Sequence, residues 1–253
     1  MNKFNDKVVI VTGGGKGIGL GISRAFAKEG ANLVITGRTE ATLQAAKEQL
    51  EKDFGVKVLA VPADGGKRDQ VNNVIAKTVE TFGRIDVMVN NAQVSASGVM
   101  LADHTTEDFD LAIYSGLYAS FFYMQACLPY LKETKGSVLN FASGAGLSGK
   151  IGQSSYAAAK EGIRGLSRVA AREWGPMGIR VNVVCPLAAT PGLAKWEQEY
   201  PELYKNTIRD IPLEHFGDSE TEIGPLCVFL ASEEAKYITG QTINVDGGVN
   251  LRP

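Results

Sequence analysis

Short, almost wholly apolar runs alternate along the chain with longer stretches in which apolar residues recur at three- and four-residue spacing. The runs predict strands at 8–12, 32–36, 57–62, 86–90, 136–142, 179–185 and 242–245. The periodic stretches predict helices at 18–29, 40–54, 69–82, 109–132, 154–174 and 222–230. Gly30 stands just past the first helix, where glycine commonly closes one. Apolar strands separated by helices imply a parallel sheet covered on both faces. The expected fold is therefore α/β: one domain spanning 1–253, a doubly wound Rossmann-type parallel sheet of about seven strands. One stretch breaks the rhythm. Residues 187–216 are polar, proline-bearing and carry Trp196, Tyr200, Tyr204 and Phe216, which suggests a substrate lid.

The first turn of that alternation is Thr12-Gly13-Gly14-Gly15-Lys16-Gly17-Ile18-Gly19. Glycines between a strand and a helix let the chain turn sharply and bring backbone N–H groups up to a pyrophosphate. The second strand then decides which dinucleotide fits. An NAD site wants a carboxylate there for the ribose hydroxyl, whereas an NADP site wants a cation for the 2′-phosphate. The residues are Thr36-Gly37-Arg38-Thr39, without an acid, and Lys16 supplies a second cation. The expectation is NADP, its phosphate met by Arg38, Thr39 and Lys16.

Tyr156 and Lys160 lie four apart, which stacks them on one helical face. An adjacent ammonium would favour the phenolate and fit Tyr156 to exchange a proton with an alcohol or carbonyl oxygen. Ser143 follows the fifth predicted strand, on the side of a parallel sheet where a cofactor crevice opens. Its hydroxyl could bond a substrate oxygen, or it could simply cap a turn.

In this order the segments resemble the short-chain dehydrogenase/reductase family over essentially the whole chain. The resemblance implies Tyr156 as general acid/base, Ser143 as the group orienting the substrate oxygen, and Lys160 as the group tuning Tyr156 and holding the nicotinamide ribose. It assigns Gly13, Gly15, Lys16, Gly17, Ile18 and Gly19 to the cofactor turn and Asp64 to the adenine. It places Asn90 and Ala92 beside the cofactor, and Pro186 and Thr190 in the loop meeting the nicotinamide. It also implies a homotetramer packed through the helices near 109–132 and 154–174.

Three departures stand out. Gln93 occupies a position usually held by glycine, and Leu187 follows Pro186 where glycine is usual. Gly116 falls where the family offers an asparagine that anchors a relay water, leaving Ser115 or a bound water to substitute. These unusual segments are similar to bacterial 12α-hydroxysteroid dehydrogenases, which oxidise a hydroxyl of bile acids with NADP. The substrate contacts expected on that basis are Gln93, Ser143, Tyr156, Leu187 and Trp196. A 3-oxoacyl thioester reductase and a non-catalytic nucleotide-binding protein remain as alternatives.

Composition removes several other classes. A net charge of -2 with no basic cluster gives no reason to expect nucleic acid or membrane partners. Cys127, Cys185 and Cys227 are widely spaced, forming neither a disulfide framework nor a ligand pattern. His104 and His215 are the two histidines and have no companion ligands at metal spacing, so no metal is expected. The N-terminal segment lacks a signal-like apolar region and no apolar run is read as approaching the roughly 20 residues that span a bilayer, so a cytoplasmic protein is expected.

Overall fold

The structure is a computed structural model and describes residues 2–251. Seven strands form one parallel sheet in the order β3-β2-β1-β4-β5-β6-β7. They are β1 (Val8–Thr12), β2 (Asn32–Gly37), β3 (Val58–Pro62), β4 (Val87–Asn90), β5 (Ser137–Phe141), β6 (Arg180–Pro186) and β7 (Thr242–Val245). The order reverses between β1 and β4, and that switch point opens a crevice outside the carboxyl ends of the strands.

Alternation along β1 shows how the sheet is held. Val9 and Val11 enter one core with Ile22 and Phe26 of α1 (Gly17–Lys28) and Leu43 and Leu50 of α2 (Glu40–Phe54). Val8 and Ile10 enter the other, with Val74 and Ile75 of α3 (Arg68–Phe82). Both faces of each central strand are thus buried, and continuous apolar runs follow. Burying side chains of this size stabilises by roughly 1.5–3 kcal/mol each before the entropy of ordering is subtracted.

The predicted helix at 109–132 is longer and less regular than its pattern suggests. It consists of α4 (Thr106–Ala112), a π-helical segment (Ile113–Tyr118) and α5 (Ala119–Thr134). No charge occurs between Ile113 and Leu131, so this helix has the length and composition to cross a membrane, contrary to the expectation from the sequence. Here Tyr123, Met124, Cys127 and Leu131 instead bury themselves against the sheet.

Beyond β5, a short α6 (Gly144–Ser148) precedes α7 (Ser154–Trp174). The 187–216 stretch is not irregular: it holds α8 (Pro191–Glu199) and α9 (Pro201–Arg209). Its two ends are fastened together, since Ala189 N donates to Gly217 O at 2.9 Å and Gly217 N to Leu187 O at 3.1 Å. A second π-helical segment (Ser219–Ile223) leads into α10 (Gly224–Ala231).

Candidate active site

The glycine turn is built by close approach. Gly13 has φ 69°, and its N–H donates to Thr36 O at 2.7 Å. A methyl group at Gly19 would lie 2.2 Å from Gly13 O, so the first turn of α1 packs directly on the loop. Lys16 occupies the N-cap without a side-chain cap, leaving the first α1 amides open to an anion. Those orphan donors at the switch point fit the pyrophosphate of a dinucleotide. Gly15 abuts Thr42 and Leu43, which sets Lys16 beside the start of α2; Arg38 and Thr39 immediately precede that helix. Lys16, Arg38 and Thr39 are all exposed.

A second loop clamps this turn. Thr12 Oγ1 accepts from Asn91 N at 2.9 Å and Ala92 N at 3.0 Å, while Asn91 Nδ2 donates to Thr12 O at 2.9 Å. Asn91 is therefore the side chain that ties β4 to the turn, a role the sequence alone did not single out. Asn90 belongs to the interior: its Nδ2 donates to Asn140 Oδ1 at 2.8 Å, and Asn140 continues to Ser167 at 2.8 Å. Any contact from Asn90 to a cofactor would have to come through its backbone. Asp64 Oδ1 accepts from Gly66 N at 3.0 Å, which shapes the loop after β3.

Ser143, Tyr156 and Lys160 converge at the end of β5. Ser143 caps α6, its hydroxyl accepting from Ala145 N at 3.2 Å, and it lies near enough to the Tyr156 hydroxyl to lower that group's pKa. The capping role and the site role thus fall on the same side chain. Lys160 Nζ lies 5.4 Å from the centre of the Tyr156 ring and donates to Phe141 O at 2.7 Å. The N-terminus of α7 is steadied by the loop after β4: His104 Nε2 lies 2.8 Å from Ser155 Oγ, and His104 Nδ1 3.3 Å from Ser154 Oγ.

Electrostatics depart from the simple picture of a lysine depressing its tyrosine. Burial raises the Tyr156 hydroxyl above its ordinary value, and the neighbouring Ser143 hydroxyl opposes that shift. Burial also brings Lys160 down to about 8, because desolvation disfavours the ammonium. In this protein desolvation is the largest influence on both groups, so the chain's own groups do not pull Tyr156 towards neutrality.

Thr190 caps α8, its hydroxyl accepting from Leu193 N at 3.2 Å. It lines a cleft of about 360 Å³ with Gly17, Leu20, Ala189 and Ser219, which puts the loop after Pro186 opposite the glycine turn. Leu187 is half-buried, and its N–H donates to Val245 O at 2.9 Å. Trp196 stacks obliquely on Tyr204 at 5.8 Å, and Tyr204 on Phe216 at 5.5 Å. The aromatics of this stretch therefore pack on one another. A larger cavity of about 830 Å³ lies elsewhere, between Leu147, Arg164 and β7.

The family model described as enoyl-(acyl carrier protein) reductase matches residues 13–250. The chain belongs to the short-chain dehydrogenase/reductase family. This dehydrogenase/reductase is 56% identical to a 12α-hydroxysteroid dehydrogenase from a Clostridium species, with the whole of both chains covered. It is 36% identical to a 3-oxoacyl-[acyl-carrier-protein] reductase of Chlamydia muridarum, covering 96% of this chain and 97% of that one. The crystal structure of levodione reductase superimposes with a TM-score of 0.91 at 34% identity, covering 97% of this chain and 98% of that one. The protein is accordingly an oxidoreductase of a family that uses a nicotinamide cofactor.

Proposed function

We propose that the protein is an NADP(H)-dependent hydroxysteroid dehydrogenase acting on the 12α-hydroxyl of bile acids. The observation that carries this is the joining of Ser143, Tyr156 and Lys160 at the mouth of the dinucleotide crevice. The extent of the likeness to a 12α-hydroxysteroid dehydrogenase adds the substrate class. The cofactor supplies the hydride acceptor when bound. Tyr156 takes the hydroxyl proton as the alcohol carbon is oxidised, and returns one in the reverse direction. Ser143 holds the substrate oxygen by hydrogen bonding. Lys160 places a cation beneath Tyr156 and presents further donors to the nicotinamide ribose.

The cofactor is held by Gly13, Gly15, Gly17, Ile18 and Gly19 at the pyrophosphate and by Asp64 near the adenine. Ala92, Pro186 and Thr190 meet the nicotinamide half. Lys16, Arg38 and Thr39 meet the 2′-phosphate, which selects NADP over NAD. Leu187 and Trp196 form part of the apolar wall for the steroid, and α8 and α9 close over it. The active form is a cytoplasmic homotetramer.

The test mixes purified protein with NADP+ and cholate and follows reduced nicotinamide by absorbance, with NAD+ and chenodeoxycholate in parallel. Reduction with cholate and NADP+ alone is expected, since chenodeoxycholate lacks the 12-hydroxyl. Equal turnover of both steroids would move the reaction to another ring position. Silence on both would overturn the steroid assignment.

A further inference from the structure

Gln93 and Gly116 are left over once the turn and the three converging side chains are accounted for. They touch one another. A methyl group built on Gly116 would lie 2.7 Å from Gln93 Cδ, 2.8 Å from Oε1 and 3.0 Å from Nε2. The Gln93 carboxamide thus occupies the space that any larger residue at 116 would need. Gly116 is buried within the π-helical segment, where the regular helical hydrogen-bond ladder is interrupted. Gln93 Nε2 donates a long bond, 3.5 Å, to the Ala112 carbonyl at the entrance to that segment. Gln93 Oε1 is buried and has no hydrogen-bond partner among the described residues. A buried acceptor of this kind costs free energy unless a polar atom meets it, so its presence calls for a use.

The neighbouring hydroxyl is not a substitute. The one proton of Ser115 Oγ is shared between Val94 O at 2.9 Å and Leu111 O at 2.5 Å, and the oxygen accepts from Val94 N at 3.0 Å. Its only donor is thus committed to holding the loop to the helix. Gln93, by contrast, sits between two functional elements. One residue before it, Ala92 is bonded to Thr12 at the glycine turn. One residue after Gly116, Leu117 packs against Gly162 on α7, the helix that carries Tyr156 and Lys160.

We propose that Gln93 is a positioning residue whose carboxamide fills the place of the side chain absent at Gly116, holding the π-helical segment in register between the glycine turn and α7. Its free Oε1 is the hydrogen-bond acceptor of this inner wall. The proposal rests on the oxidoreductase reading of the site but not on the steroid.

Four full-length variants test it, assayed with NADP+ and cholate. Gln93→Ala lowers kcat about tenfold, the worth of one hydrogen bond, with KM for the cofactor within about twofold. Gly116→Ala does the same, because its methyl displaces the flexible end of Gln93. The double variant Gln93→Ala/Gly116→Ala loses about tenfold in total, not a hundredfold, since both changes remove one group. Gln93→Gly/Gly116→Asn, which returns a carboxamide from the helix side, recovers kcat to within about threefold of the parent. Multiplying losses, or a Gly/Asn pair no better than Gln93→Gly alone, would overturn the proposal.

Thermal unfolding of the same chains needs no substrate and decides the matter if cholate is not turned over. Gly116→Ala raises Tm in the Gln93→Ala background, through the better helix propensity of alanine, and loses that gain when Gln93 is present. An equal shift in both backgrounds would show that the two residues are not coupled.

Discussion

Lys160 Nζ and the carbonyl oxygen of Phe141 are 2.7 Å apart, so α7 is pinned to β5 two residues before Ser143. A long side chain from the middle of a helix thereby fixes the spacing between the two elements that carry the other two site residues. The same side chain is a buried cation, and the cost of that burial can be read by pH.

Lys160→Met should abolish turnover while leaving the fold at least as stable as the parent near neutral pH. Burial holds the folded-state Lys160 at about 8 against an ordinary lysine value of 10.5. Below 8 both states carry the proton, and folding bears the full cost of desolvating the ammonium. As pH rises from about 8 to 10.5 the unfolded chain binds more protons than the folded one, so parent stability rises. The stability advantage of Lys160→Met is therefore largest below pH 8 and shrinks across that window. Tm measured against pH for both proteins checks this, and a constant difference would refute it.

Tyr156→Phe removes the hydroxyl that Ser143 meets and keeps the ring beside Lys160. We expect kcat to fall by about 10²–10⁴-fold, the usual contribution of a positioned acid/base, with cofactor affinity retained. Steady-state kinetics with a parallel cofactor titration measures both quantities. Turnover within tenfold of the parent would take Tyr156 out of the chemistry.

Arg38 lies exposed directly after β2, without an acid before it at 36 or 37. On the proposed NADP reading, Arg38→Asp exchanges a partner for the 2′-phosphate for one suited to a ribose hydroxyl. Preference for NADP+ over NAD+, as a ratio of kcat/KM values, should fall by about 10–100-fold, the worth of a charge-assisted hydrogen bond. An unchanged ratio would place the phosphate elsewhere.

Gly19→Ala should eliminate cofactor binding more completely than any charge change. The added methyl meets Gly13 O and C at 2.2 and 2.6 Å, backbone atoms that cannot swing aside. Fluorescence titration with NADPH should show affinity reduced by about 10–100-fold, as the turn must distort to admit overpacking that costs roughly 1–3 kcal/mol. Retained binding would mean that the helix start and the loop separate readily.

Much of this was legible in the chain. Interior strands of a parallel sheet are apolar on both faces, so β1 and β2 announce themselves, and α2 and α7 fall where their periodicity puts them. That Tyr156 and Lys160 share one helical face and that Ser143 follows β5 was legible because helical spacing and a strand end are local features. What escaped were short or long-range effects. Gly144–Ser148 is too short to show a period, and the π-helical segment Ile113–Tyr118 shifts register without changing polarity. The bonds from Asn91 to Thr12, and the nesting of Gln93 on Gly116, join residues distant in sequence. The direction of the Tyr156 shift depends on burial, which spacing does not report.

The clasp between Leu187, Ala189 and Gly217 has an evolutionary meaning. It closes the two-helix insert at its base, so that the insert leaves and rejoins the sheet at nearly one point. Sequence within such a loop can drift, lengthen or be exchanged between relatives while the sheet and the glycine turn are left alone. A longer or shorter insert would then leave the sheet order and the position of the glycine turn as they are.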